Sequence, residues 1–242
     1  MSYYECRVKV NIKDIESVKE ILKMYKILGV RNLILEPTFL NKYNISNEIK
    51  EQIQSLTKIN IFYRYNLKID NLTKFKQIIR KFNDSPLIIS VESQNKDVQI
   101  NAARDSRVDI LSFSEPNILK TLTPGVISLI KQNQSFIEYS LAPILSNKNK
   151  SLLSKNFRML YRYMRLGIKA HVNYIISGNF TNLWDYRHPR ALISICNSLL
   201  GLSLTEAKKG FIENPKKLIE RVKNRIDKNY FESGVRIIEI DP

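Results

Sequence analysis

Short apolar runs alternate with amphipathic segments along most of the chain. Seven of these runs have the composition and pattern of strands, and they cover residues 4–10, 33–35, 59–67, 87–91, 108–111, 136–141 and 172–176. The segments between them predict helices over residues 14–28, 46–55, 72–82, 98–104, 124–132 and 151–166. Strands that alternate with amphipathic helices are typical of a parallel sheet built from βαβ units.

The number of strands indicates how this sheet is arranged. Seven strands exceed what a small open sheet needs, and no Gly-x-Gly-x-x-Gly follows the first strand, so a doubly wound nucleotide-binding fold is disfavoured. We therefore predict an α/β fold, a (β/α) barrel of the triosephosphate-isomerase (TIM) type that is irregular in its final unit. Residues 1–228 are expected to form this single domain, and residues 229–242 a C-terminal tail or an extra strand at 235–240.

The helix predicted at residues 151–166 separates its side chains by charge. Its apolar residues recur at spacings of three and four and share one face: Leu153, Phe157, Leu160, Met164 and Ile168. Its cations also recur at spacings of three and four, one or two residues after the apolar ones, and we call them the basic rail: Lys155, Arg158, Arg162, Arg165 and Lys169. The spacing predicts that the apolar face packs inward and that the basic rail points outward.

A heptapeptide of sequence Trp-Asp-Tyr-Arg-His-Pro-Arg begins at Trp184, after the seventh strand. Proline is favoured at the first helical position, so a helix should begin at Pro189 and the preceding residues should form a loop at the C-terminal end of a strand. In TIM-type barrels such loops carry function. Trp184, Arg187 and Arg190 are candidates for stacking on and pairing with unpaired RNA. An internal ion pair of Asp185 with Arg187 or Arg190 is an alternative interpretation.

The net charge supports a polyanionic partner. The formal charge is +16 and the pI is about 9.7, and residues 141–200 contain nine Lys or Arg but a single acid, Asp185. A helix with one charged face is often only solvated, but such helices usually mix signs, and the missing acids favour phosphate. A lipid-surface helix is the weaker alternative. A last helix from Pro215 is expected to carry further cations on its outer side: Lys216, Lys217, Arg221, Lys223 and Arg225.

Residues suited to catalysis or metal binding are few. The two histidines and two distant cysteines match neither a nucleophile-histidine set, a zinc site nor a disulfide framework. Four acids at predicted strand ends leave open a stand-alone metal-dependent phosphoesterase: Glu36, Glu92, Glu115 and Asp185. The cysteine usage, together with the lack of a signal peptide or long apolar segment, predicts a cytoplasmic protein without membrane association.

Four segments carry a resemblance to a known family. They read Phe-Ile-Glu-Tyr-Ser-Leu-Ala-Pro-Ile-Leu-Ser-Asn at 136–147, Ile-Ile-Ser-Gly-Asn at 175–179, Trp-Asp-Tyr-Arg-His-Pro-Arg-Ala-Leu-Ile-Ser at 184–194 and Leu-Gly-Leu at 200–202. With the basic helix, this arrangement resembles archaeal and eukaryotic ribonuclease P protein component 3 over roughly residues 108–225. The chain departs from the family pattern at Ala191, where members often have an acid, and residues from 229 onward match no part of it.

The resemblance implies a barrel like those of the polymerase-and-histidinol-phosphatase superfamily, without their metal ligands. It also implies a protein subunit of ribonuclease P that supports RNA-catalysed removal of the 5′ leader from precursor tRNA. The protein then has no catalytic residues and binds no cofactor, and Mg²⁺ serves the RNA component.

The partners implied by the resemblance are ribonuclease P RNA, protein component 2 and the other ribonuclease P protein subunits, with precursor tRNA contacted indirectly. The basic rail, Trp184, Arg187 and Arg190 are the candidate contacts with RNA or partner proteins. A general RNA-binding barrel unrelated to tRNA is a further alternative.

Overall fold

The computed structural model describes residues 2–38, 45–147, 149–227, 229–232 and 235–236. The strands in these ranges are β1 (Tyr4–Val10), β2 (Asn32–Pro37), β3 (Asn60–Lys68), β4 (Ile88–Glu92), β5 (Ile110–Phe113), β6 (Phe136–Ser140), β7 (Asn173–Ser177), β8 (Tyr230–Glu232) and β9 (Val235–Arg236).

The α-helices are α1 (Ile15–Ile27), α2 (Asn47–Ser55), α3 (Leu72–Ile79), α4 (Lys96–Arg104), α5 (Pro116–Leu119), α6 (Pro124–Gln132), α7 (Ala142–Leu145), α8 (Lys150–Lys169), α9 (Pro189–Ser198), α10 (Leu204–Lys208) and α11 (Asn214–Ile226). Two 3₁₀ turns (Arg80–Phe82 and Leu183–Asp185) and a π-helical turn (Lys209–Glu213) complete the described elements.

Strands β1 to β7 form one parallel sheet in sequence order. Each strand pairs with the next, from Tyr4 opposite Asn32 at one edge to Ser140 opposite Ser177 at the other. The predicted TIM-type barrel is therefore confirmed, and each of the seven predicted strands is present within a few residues of its expected position. The strands read as short apolar runs because helices cover the outer face of the sheet while side chains fill its interior.

The barrel is nearly closed, and its seam lies between β7 and β1. No backbone ladder joins these two strands within the described residues. Instead the N–H of Gly178 donates across the seam to the buried carboxylate of Glu5, with an N to Oε1 distance of 2.9 Å. The π-helical turn packs against both strands, and Gly210 in this turn lies so close to Ile176 that an added Cβ would be 2.7 Å from that side chain. The final unit is irregular, as predicted, because this helical turn closes the seam.

The barrel interior is apolar at the end where the strands begin. One side chain from each of six strands meets there: Cys6, Ile34, Ile88, Ile110, Phe136 and Ile175. Leu218 and Val222 of α11 join this cluster, so α11 covers the end of the barrel at which the strands begin. Because α11 covers this end, the mouth of the barrel is the opposite end, where the strands finish.

Two arginines hold α11 against the barrel. Arg221 Nε and Arg225 Nη1 lie 3.2 and 3.0 Å from the buried Asp109 Oδ1. Arg225 also donates to the carbonyls of Ser85 and Leu87 at 3.1 and 2.7 Å. The prediction that Arg221 and Arg225 lie on the outer side of the last helix is wrong, because a buried acid and unpaired loop carbonyls draw both guanidinium groups inward.

The C-terminal segment contributes a two-stranded antiparallel sheet, β8 with β9. Of the extra strand expected at 235–240, only residues 235–236 fall within the described residues, and both belong to β9. Residues 237–242 lie outside them. None of the described helices has the length and hydropathy needed to cross a membrane.

Candidate nucleic-acid interface

Two arginines are fully buried inside the barrel, between the apolar layer and the mouth: Arg7 of β1 and Arg64 of β3. Arg7 Nε lies 2.7 Å from Glu36 Oε2, and Arg7 Nη2 lies 2.9 Å from Glu92 Oε2. Arg64 donates from both terminal nitrogens to the two oxygens of Glu138, at 3.0 and 2.9 Å. Burial alone would raise the pKa of Glu138, but the guanidinium groups of Arg64 and Arg7 outweigh it and lower that pKa to about 2.

Most of the acids considered as metal ligands are bound by cations. Glu36 and Glu92 pair with Arg7, and Lys68 Nζ lies 3.3 Å from Glu92 Oε1 and 3.5 Å from Glu115 Oε1. Among the described residues, no group of three or more His, Cys, Asp and Glu is placed to hold a metal ion. An ion that bound Glu36 and Glu92 would have to break the buried Arg7 pairs, at a cost on the order of 3–5 kcal/mol.

Helix α8 is fixed to the barrel along its inner face. Leu160 and Met164 are buried there, as the spacing predicted, and the other predicted apolar positions are half-buried: Leu153, Phe157 and Ile168. The hydroxyl of Tyr139 in β6 donates to the carbonyl of Tyr163 at 3.0 Å. Gly167 lies against this hydroxyl, which would clash with any side chain there. These contacts set the direction of the outer face of α8.

The five cations of the basic rail lie exposed on that outer face, as the sequence predicted. In the described part of the chain, none of them forms an ion pair with an acid. Arg165 instead lies 5.6 Å from the ring centroid of Tyr161, and Arg162 lies 5.9 Å from that of Tyr163. At about 1.5 Å per residue, the rail is roughly 21 Å long. It is a positive surface that the protein does not neutralise itself.

The heptapeptide loop is anchored by its tyrosine. The ring of Tyr186 stacks on Tyr25 of α1 with a centroid distance of 4.7 Å. The centroid of the Phe180 ring lies 6.2 Å from that of Tyr186. The guanidinium of Arg187 donates to the carbonyls of Trp184 and Tyr186 at 2.6 and 3.0 Å. These contacts hold the loop against α1, and within the loop Trp184 is 83% exposed.

The alternative ion pair of Asp185 is not formed. Arg187 binds backbone carbonyls instead, and Arg190 is exposed without an acid partner among the described residues. Helix α9 begins at Pro189, as predicted, and His188 Nδ1 caps it by accepting a hydrogen bond from the Arg190 N–H at 3.1 Å. Two arginines and a tryptophan thus remain at the surface with a single nearby acid.

The rail and the loop are two separate surfaces. Helix α8 precedes β7 and the loop follows it, so they belong to consecutive parts of the barrel wall. No hydrogen bond, ion pair or ring contact within the described residues connects the rail with Trp184, Arg187 or Arg190. Their role as contacts with RNA or partner proteins stays a prediction.

Sequence reasoning missed the charged layer inside the barrel. Its members Arg7, Arg64 and Glu138 are each buried, whereas charged residues in strands usually face solvent. The signal was present at Glu138, the single charged residue of strand β6. In a parallel strand covered on both faces, a lone acid requires a buried cation, and the cations are the arginines of β1 and β3.

The fold and charges define a class of protein: a TIM-type barrel with an ion-paired mouth and a basic outer helix. A family model described as RNase P subunit p30 matches residues 2–227. The chain belongs to the RNase P subunit p30 family and is a protein subunit of ribonuclease P.

A relative of this family resembles the chain over most of its length, and two solved structures share its fold. Ribonuclease P protein component 3 of Methanosarcina mazei is 23% identical over 243 residues, which cover 98% of this chain and 96% of the relative. A chain in the cryo-EM structure of archaeal ribonuclease P with mature tRNA matches with a TM-score of 0.78 at 19% identity, over 99% of both chains. A putative prolidase from Bifidobacterium longum matches with a TM-score of 0.63 at 10% identity, over 91% of this chain and 70% of the prolidase. At these identities, the two structural matches show the barrel fold alone.

Proposed function

We propose that this subunit acts without catalytic residues of its own and holds ribonuclease P RNA along the basic rail, while the RNA removes the 5′ leader of precursor tRNA. The observation that carries this proposal is the row of five exposed cations with no acid partner in the described part of the chain. Cations that repel one another on a fixed helix are stabilised when phosphates replace the missing acids.

The proposed partners are ribonuclease P RNA, protein component 2 and the other protein subunits, with precursor tRNA contacted indirectly. Support comes from the archaeal ribonuclease P structure with mature tRNA, in which one chain has this fold. In this proposal the protein binds no cofactor and Mg²⁺ serves the RNA. We place the complex in the cytoplasm, where the two buried free thiols of Cys6 and Cys196 are in keeping with a reducing compartment.

The alternative of a stand-alone metal-dependent phosphoesterase is not favoured. Its metal would need the carboxylates of Glu36 and Glu92, and Arg7 binds both of them inside the barrel. The charge that a divalent ion would bring is thus already supplied by a guanidinium. A phosphoesterase assay of the purified protein without RNA, with Mg²⁺, Mn²⁺ and Zn²⁺ in turn, tests this alternative directly.

A charge-reversal experiment tests the proposed function. The triple variant R158E/R162E/R165E is reconstituted with ribonuclease P RNA and the companion subunits, and cleavage of precursor tRNA is followed over a range of Mg²⁺ concentrations. We expect the variant to need more Mg²⁺ or to fail to assemble, because the RNA loses neutralising charge. The matched control K74E/K76E/R80E changes the net charge equally at exposed positions of α3 and its C-terminal end. Equal processing by the rail variant and the wild-type protein would refute the proposal, and equal defects in both variants would refute a local role of the rail.

A further inference from the structure

A cavity of about 420 Å³ opens at the N-terminal end of α8, next to the first cation of the rail, Lys155. Its apolar wall is formed by Pro116, Pro143, Leu152 and Met159. Leu152, at the edge of this cavity, is 47% exposed.

One side-chain oxygen of a residue that lines this cavity has no hydrogen-bond partner among the described residues. Asn156 is 8% exposed, and its Nδ2 donates to the carbonyl of Pro143 at 3.1 Å. A carbonyl can only accept, so the orientation of the amide is fixed and Oδ1 is left as the second polar atom. No described residue donates a hydrogen bond to Asn156 Oδ1, and this oxygen is not among the fully buried atoms without a partner, so it is open to an occupant of the cavity. An occupant of the cavity therefore meets a positioned acceptor.

Two cations stand at the rim of the cavity. Lys120 and Lys155 are exposed, and neither pairs with an acid in the part of the chain that the structure describes. The one acid among the described residues that line the cavity is Glu115, whose carboxylate lies 3.5 Å from Lys68 Nζ. The two lysines at the rim therefore favour an anionic group. The apolar wall favours a flat apolar group, and Asn156 Oδ1 favours a hydrogen-bond donor.

We propose that this cavity takes one unpaired nucleotide, extruded from the RNA whose backbone follows the basic rail. The base lies against Leu152 and Met159, its exocyclic amino group donates to Asn156 Oδ1, and its phosphates meet Lys120 and Lys155. Unpaired bases are the usual target of proteins that recognise RNA by sequence, since their faces and edges are accessible. This inference rests on the proposed function, because the rail must bring the RNA to the cavity.

The acceptor on Asn156 gives the cavity a base preference. Adenine, cytosine and guanine carry an exocyclic amino group that donates a hydrogen bond, whereas uracil can donate only from its ring N3–H, which lies between two carbonyl oxygens. A uracil that turned its N3–H towards Asn156 Oδ1 would bring a carbonyl oxygen close on either side, and the repulsion between these oxygens and Oδ1 weakens the hydrogen bond. The cavity should therefore favour an unpaired adenosine or cytidine over uridine, which contact with the rail alone would not produce.

The test uses the full chain and three fluorescein-labelled RNA hairpins that differ at one position: a bulged adenosine, a bulged uridine or no bulge. Dissociation constants are measured by fluorescence anisotropy at one salt concentration. We expect the adenosine bulge to bind about fivefold or more tightly than the hairpin without a bulge, with the uridine bulge weaker than adenosine. Equal binding of all three hairpins by the wild-type protein would overturn the inference.

Three variants test whether the base preference arises from the cavity. Leu152→Trp fills the cavity from a half-exposed position and should remove the preference while leaving affinity for the unbulged hairpin unchanged. Lys120→Ala should reduce the preference, whereas its matched control Lys169→Ala, at the far end of the rail, should weaken all hairpins alike. Retention of the preference in Leu152→Trp, with the fold verified by circular dichroism, would also overturn the inference. Failure of the wild-type protein to bind any hairpin would instead refute the proposed function.

Discussion

Binding of RNA by the basic rail can be measured through the effect of salt on affinity. Each phosphate that a protein cation neutralises contributes about 0.7–0.9 to the slope of log affinity against log salt concentration. If all five exposed rail cations contact phosphate, they contribute a slope of about −3.5 to −4.5. The variant R158E/R162E/R165E keeps Lys155 and Lys169, so its rail contributes only about −1.4 to −1.8.

These slopes translate into a large difference between the two proteins. Between about 50 and 200 mM salt, the affinity of the wild-type protein should fall roughly 130-fold to 500-fold, and that of the variant roughly 7-fold to 12-fold. Anisotropy titrations of a labelled RNA hairpin at four salt concentrations give both slopes. The control K74E/K76E/R80E should keep the wild-type slope. The same slope for the wild-type protein and the rail variant would refute the reasoning, because the reversed charges would then not touch phosphate.

Two further predictions concern the stability of the barrel. Gly167→Ala places a Cβ against the Tyr139 hydroxyl and should lower the free energy of unfolding by about 1–3 kcal/mol in urea denaturation; an unchanged midpoint would show that α8 does not pack as described. Glu138→Gln removes the carboxylate that Arg64 and Arg7 bind and should cost about 3–5 kcal/mol. Because the pKa of Glu138 is about 2 in the folded protein against an ordinary 4.5, its contribution to stability is present above pH 4.5 and is lost as the pH falls towards 2. Parallel loss of stability by the wild-type protein and Glu138→Gln across that window would contradict this assignment.

The strands and the rail could be predicted from the sequence because each depends on a local period. A buried parallel strand is a short apolar run whatever its neighbours are, so the seven strands stood out. The outward direction of the rail follows from the 3.6-residue turn of α8, which needs no knowledge of the barrel. Both predictions used only residues that are close together in the chain.

The charged interior could not be predicted in the same way. Strand β1 alternates charged and apolar residues, which is the pattern of a strand with one face in water, yet Glu5 and Arg7 are both buried. Arg7 is inside because Glu36, Glu92 and Glu138 come to it from three other strands. No local period encodes a meeting of residues that are 29 to 131 positions apart, and the closure of the barrel alone brings them together.

The same limit explains the error at the last helix. By spacing alone, Arg221 and Arg225 belong to a row of surface cations, and three of that row, Lys216, Lys217 and Lys223, are exposed. Arg221 and Arg225 turn inward instead because they bind Asp109, which is more than a hundred residues earlier in the chain. The sequence shows an acid immediately before β5, but it does not show which helix that acid binds.

The ion-paired mouth also bears on how the polypeptide and the RNA respond to their surroundings. Opposite charges on the chain itself hold β1, β2, β3, β4 and β6 together at that end, so these five strands need no added ion to link them there. RNA folds and unfolds with the supply of divalent ions, whereas we expect this barrel to keep its shape when they are chelated. We therefore expect the protein to be folded, with its cationic helix in place, before the RNA reaches its native structure.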